Sequence, residues 1–133
     1  MKQENMILIS NRQLTSDVHE LILQGSLADA TIEPGQFVNL LVPRADLILR
    51  RPISIASVDP QNHQLTLVIR AMGAGSAALC AVKPGDTIDV LGPLGHGFPL
   101  SFLKPGSTAL VIGGGIGIPP LLELVKRLAD EVG

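Results

Sequence analysis

The 133-residue chain is 46% hydrophobic, enough for one domain with a real core plus a further fragment, which excludes a disordered segment. Its formal net charge of −2 offers no basic surface to nucleic acid or an anionic membrane, and a lone Cys80 excludes a disulfide framework or a Cys-ligated metal or iron–sulfur site within this chain. Only 2% of residues are aromatic, with three Phe and no Trp or Tyr, so Leu, Ile, Val and Ala must build the core and few rings could stack on a flavin or base.

Met1-Lys2-Gln3-Glu4-Asn5 leads into a strand-like run without an apolar signal core, and no apolar stretch approaches membrane-spanning length. The expectation is a soluble, cytoplasmic protein. From Met6 to about Leu100 short strands alternate with turn chemistry, which predicts a mainly β fold, an antiparallel barrel or sandwich. The predicted strands are Met6 to Ser10, Val18 to Leu23, Phe37 to Val42, Ile53 to Val58, Leu65 to Arg70 and Thr87 to Leu91. Along the third, alternation sets Val38, Leu40 and Val42 on one face and Phe37, Asn39 and Leu41 on the other. Asp59-Pro60-Gln61-Asn62 reads as the turn of a hairpin. Ala77, Ala78, Leu79 and Ala81 predict a short helix that Ser76 can cap, and Gly92-Pro93-Leu94-Gly95-His96-Gly97 reads as a loop too glycine-rich for regular structure. A boundary is expected near Lys104-Pro105-Gly106.

Beyond it, Thr108 to Ile112 reads as a strand, Gly113-Gly114-Gly115-Ile116-Gly117 as a turn, and Leu121, Leu122, Leu124, Val125 and Leu128 as one face of a helix. Glycines at such a turn let backbone N–H groups approach a pyrophosphate, although a tight turn needs glycine for its own sake. Pro119 and Pro120 replace the third glycine of a dinucleotide fingerprint, and neither a second strand nor an acidic ribose contact about 20 residues on is present. The expectation is that the chain stops where a second domain begins, leaving a tail that docks on another chain or frays.

Arg50-Arg51-Pro52-Ile53-Ser54-Ile55 places two guanidiniums and a hydroxyl at the start of an apolar strand. One arginine could clamp a phosphate bidentately, or both could be a solvated pair at a strand end. His19, His63 and His96 have no metal-ligand spacing and receive no catalytic role, and Cys80 reads as a small buried hydrophobe.

Arg51-Pro52-Ile53-Ser54, then Arg70 with Gly73-Ala74-Gly75-Ser76, then Leu91-Gly92-Pro93-Leu94-Gly95-His96-Gly97-Phe98, then Gly113 to Pro120 follow in an order and spacing that resembles the ferredoxin–NADP reductase superfamily. Within it the resemblance is closest to the electron-transfer subunits of bacterial dihydroorotate dehydrogenases, and it covers essentially the whole chain. It implies a six-stranded antiparallel FAD-binding barrel with a short helix over residues 1–103, and over 104–133 the first strand and helix of an NAD-binding α/β domain. By position, Arg51 would face the flavin pyrophosphate, Pro52, Ile53 and Ser54 would line the flavin with Ser54 at the isoalloxazine edge, and Val68, Ile69 and Arg70 would form a second contact strand. Gly75 and Ser76 would meet the pyrophosphate, and Gly114 and Gly115 would lie near the nicotinamide nucleotide and flavin. Family members often carry Tyr at the positions of Ile53 and Ile69, and their four cluster cysteines lie in a later segment that this sequence does not contain.

The function so implied is electron transfer: from an FMN-containing dihydroorotate dehydrogenase catalytic subunit, through a [2Fe–2S] cluster, to FAD and then as hydride to NAD⁺ in pyrimidine biosynthesis, within a heterotetramer. No side chain need act as acid or base, because the cofactor carries the chemistry. The alternatives are a flavin subunit of a sulfide dehydrogenase, transhydrogenase or hydrogenase, or a partner-binding fragment without turnover.

Overall fold

The computed structural model describes residues 1–132, so Gly133, the end of the expected second-domain fragment, lies outside the described residues. Six strands, β1 (Lys2–Gln13), β2 (Val18–Gln24), β3 (Phe37–Leu40), β4 (Arg51–Asp59), β5 (Gln64–Arg70) and β6 (Thr87–Leu94), close into a barrel in the order β1-β2-β5-β4-β3-β6 with every pair antiparallel. Helix α1 (Ala74–Cys80) follows β5, and α2 (Leu122–Val132) follows the glycine turn. The six-stranded barrel expected from the sequence is therefore the fold.

Period-2 patterning explains the closure. Val38, Leu40, Leu65, Leu67 and Ile69 turn inward and are buried, while Asn39, Thr66, Val68 and Arg70 between them are not. Leu67 stands opposite both Leu21 and Ile55, so one residue locks three strands into a single layer. After β2, a short 3-10 turn at Ser26–Asp29 drives fully buried Leu27 and Ala28 into the same core. The Glu4 carboxylate on β1 holds that turn, accepting from the Leu27 N–H at 2.7 Å, the Ser26 N–H at 3.0 Å and the Ser26 hydroxyl at 3.1 Å. Burial opposes its charge, but these donors outweigh it and hold the carboxyl below its ordinary range.

Two expectations need correction. Gly92, Pro93 and Leu94 are not loop but the last residues of β6. The β3–β6 register slips between Phe37 and Asn39, which face Leu94 and Leu91, so Pro93, with no N–H to donate, falls at the irregularity where a ladder tolerates it. Gly92 lies so close to Val38 that a Cβ would stand 2.7 Å from its Cγ1. Residues 108–112 form no strand among the described residues, because a parallel strand needs sheet neighbours that nothing here supplies. Leu110 and Ile112 are exposed, while α2 lies against β4: Glu123 accepts from the Val58 N–H at 3.1 Å and Lys126 reaches the Ser57 hydroxyl.

Leu67→Ala should cost about 3 kcal/mol in urea unfolding, and Leu110→Ala should stay within about 0.5 kcal/mol of wild type. Because the Glu4 carboxyl titrates lower folded than unfolded, its contribution is fully present above about pH 5 and lost as pH falls through the folded value. Glu4→Gln should lower neutral-pH stability by about 1 kcal/mol and flatten the decline between about pH 5 and 3, as read by denaturation midpoints.

Candidate functional site

The β4–β5 ladder runs from Asp59 opposite Gln64 up to Ile55 opposite Leu67, with a register shift between Ile55 and Ser57, and stops there. Above that point β4 stays with β3 and β5 stays with β2, so the two strands splay. Pro52, Ile53 and Ser54 on one side and Val68, Ile69 and Arg70 on the other line a cavity of about 240 Å³ in the splay. Met72 and the C-terminal turn residues Ile116 and Pro119 complete its wall.

Strand alternation divides these residues. Pro52 and Ser54 stand opposite Asn39 and Phe37, whereas Ile53 stands opposite buried Val38 and packs on the core. Ile69 is 1% exposed, a core residue that offers the cavity little beyond backbone, while half-buried Val68 and Arg70 turn outward. Of the two positions where relatives often carry Tyr, Ile69 is thus given over to the barrel interior, while Ile53 is shared between the core and the cleft.

The paired arginines have separate fates. Arg50 donates to Asp89 Oδ1 at 2.8 Å and to the carbonyls of Asn39 and Asp89, while Gln3 donates to Asp89 Oδ2 at 2.9 Å. That cluster ties β1, β3 and β6. Burial opposes the Asp89 charge, but the bonds from Arg50 and Gln3 hold its carboxyl below the usual range. Arg51 instead lies over the start of α1, its side chain bonded among the described residues only to the Leu49 carbonyl. A Cβ on Gly75 would stand 2.5 Å from Arg51 Nε, so a side chain there would displace the guanidinium from this corner.

The Ser76 hydroxyl closes the turn before α1, accepting from the Met72 N–H at 2.9 Å and the Gly73 N–H at 3.1 Å. Arg70 Nε is 3.5 Å from Asp17 Oδ2, an ion-pair distance without hydrogen-bond geometry, and is buried without a partner. Gly115 lines a second, larger cavity of about 710 Å³, mostly apolar, which the C-terminal turn forms with Leu14, Val18, Ala56 and Val68. Gly114 borders neither cavity, and the space where a Cβ would sit is open to 4 Å. Cys80 is buried, and burial pushes its thiol up, as befits a small hydrophobe.

The structure therefore brings residues 52–54 and 68–70 to one cleft and Arg51 with Gly75 to an adjoining corner. Met72, Ile116 and Pro119 were not singled out as site residues by sequence reasoning. Ile116 and Pro119 lie within the Gly113-to-Pro120 motif, and Met72 is a long apolar side chain just before a glycine-rich turn.

A family model for the oxidoreductase FAD-binding domain matches residues 5–98. The chain is 48% identical over 130 residues to the dihydroorotate dehydrogenase B (NAD(+)) electron transfer subunit of Enterococcus faecalis, covering 98% of this chain and 49% of the relative. It is also 48% identical over 132 residues to the Bacillus cereus subunit of the same name, covering 98% and 51%. It thus spans about half the length of the curated relatives it matches. Among solved structures it superposes on an NADH-dependent reduced ferredoxin-NADP oxidoreductase with a TM-score of 0.84 at 26% identity, covering 98% of this chain and 45% of the other. An Amycolatopsis cytochrome P450 reductase gives 0.82 at 25% identity, covering 96% and 39%. With the matched span taking in the barrel, the splayed cleft and the arginine corner, the chain belongs to the oxidoreductase FAD-binding domain family.

Proposed function

We propose that this chain binds FAD, with the flavin ring in the β4–β5 cleft and the pyrophosphate at the Arg51–Gly75 corner, as the flavin-holding part of a dihydroorotate dehydrogenase B electron-transfer subunit. The observation that carries the reading is the division of labour between the two arginines: Arg50 is consumed by Asp89, while Arg51 stands beside the cleft with only the Leu49 carbonyl as a side-chain partner. The residues fit the cofactor. Arg51 presents a planar fork suited to phosphate oxygens, Arg70 Nε is paired with Asp17 at 3.5 Å but makes no hydrogen bond among the described residues, and Ser54 sets a hydroxyl on an otherwise largely apolar cleft.

FAD, when bound, supplies the conversion between hydride transfer and single-electron steps. The chain's own residues bind and orient. Arg51 offsets phosphate charge, Pro52 and Val68 exclude water from the ring, and Ser54 and Arg70 offer polar atoms to its edge. No side chain holds or moves a proton in this scheme. Gly114 and Gly115 belong to the nicotinamide side of the site, Ser76 acts by shaping the turn, and Ile53 and Ile69 support the cleft from within the core. The full assembly in this reading adds the rest of an NAD⁺-binding domain begun at 104–133, a [2Fe–2S] cluster held by later cysteines, and an FMN-containing catalytic subunit in a cytoplasmic heterotetramer. The homology to subunits of that name at 48% identity supports dihydroorotate as the electron source over sulfide or hydrogen.

Absorbance titration with FAD tests the binding. Arg51→Ala should weaken it roughly 10- to 100-fold, the size of a lost charge-assisted hydrogen-bond pair, with little change in melting temperature. Arg50→Ala should do the reverse, destabilising the fold by about 2 kcal/mol through an unpaired, half-buried Asp89. Equal FAD affinity in wild type and Arg51→Ala would overturn the assignment.

A further inference from the structure

The cleft has an unassigned member. Met72 is 80% exposed on a cavity otherwise walled by strands and by the C-terminal turn. Its backbone is not loose, since the Met72 N–H is held by the Ser76 hydroxyl at 2.9 Å and the next residue, Gly73, is held by the same oxygen. A long apolar side chain is thereby kept in solvent at the rim of a cleft, on a fixed stem. In the free chain this placement costs hydration without any packing return. A thioether packs favourably against the edge or face of an aromatic ring, and its unbranched chain adapts to the ring's position. The cleft has room for such a group, because the chain has no Trp or Tyr, Ile69 is buried, and Ile53, partly buried against the core, offers the cleft only an aliphatic edge.

We propose that Met72 is a flavin-contact residue, folding over the ring from one side of the cleft while Ile116 and Pro119 close the other. The proposal rests on the FAD reading above and deepens it: the ring is gripped by aliphatic and thioether groups in place of aromatic ones. Ser76 then serves the site by fixing the stem of Met72, which gives its hydroxyl a role other than phosphate contact.

The absence of Trp and Tyr makes the test clean. A Trp side chain against an oxidised flavin quenches its emission by donating an electron to the excited ring, and aliphatic groups do not. FAD binding to the whole chain is measured by absorbance and equilibrium dialysis, and emission lifetime by time-resolved fluorescence, for wild type, Met72→Trp, Met72→Leu and Met72→Ala. The expected result is a long-lived bound emission in wild type and Met72→Leu and strong shortening in Met72→Trp. Met72→Ala should bind FAD roughly tenfold more weakly, as expected for the loss of buried methylene-sized groups, with melting unchanged. Should Met72→Trp fail to bind, the Leu and Ala pair decides by affinity. Bound FAD with wild-type lifetime in Met72→Trp, or wild-type affinity in Met72→Ala, would overturn the role of Met72 while leaving FAD binding standing. No FAD bound by wild type would instead overturn the parent reading and this one with it.

Discussion

Closure of the barrel is the constraint on which the rest depends. β6 is hydrogen-bonded on one side to β1 and on the other to β3, and the Arg50–Asp89–Gln3 cluster straps the three together where the register slips. An open sheet of this sequence would expose two edges and an apolar inner face. Once closed, the barrel has no edge to offer, and its remaining free backbone and side-chain groups concentrate where neighbouring strands part.

That parting is the cleft. A register shift near Ala56 ends the β4–β5 ladder early, and two strands that must follow different neighbours diverge above it. The same divergence sets outward-facing Pro52, Ser54, Val68 and Arg70 around one volume and leaves Arg51 at its margin. A ligand site here thus arises from strand pairing and needs no dedicated loop. The short helix α1 then supplies, at Gly75, a surface that the Arg51 guanidinium approaches closely.

The C-terminal segment shows how context overrides pattern. Thr108 to Ile112 has the composition of a buried parallel strand but no sheet to join, so it forms none, while the amphipathic stretch after Pro120 finds an apolar seat and two polar tethers on β4 and is helical. Its Ile116 and Pro119 thereby become walls of the cleft.

Much of this was legible in the residues. Alternation at Val38, Leu40 and Val42 located one strand and divided its two faces, because a side-chain period of two is a local property of extended backbone. The Arg51-to-Ser54 and Arg70-to-Ser76 runs marked the site through a resemblance that rests on order and spacing. The sequence by itself therefore determined the strand set and marked the neighbourhood of a candidate site. What it left open was that Arg50 is the arginine taken up by Asp89, and that Ile69 is buried where Val68 and Arg70 beside it are not. Only the tertiary structure decided these, because Asp89 lies 39 residues from Arg50 and the partner across a closed barrel is a fact of pairing in space rather than of spacing along the chain.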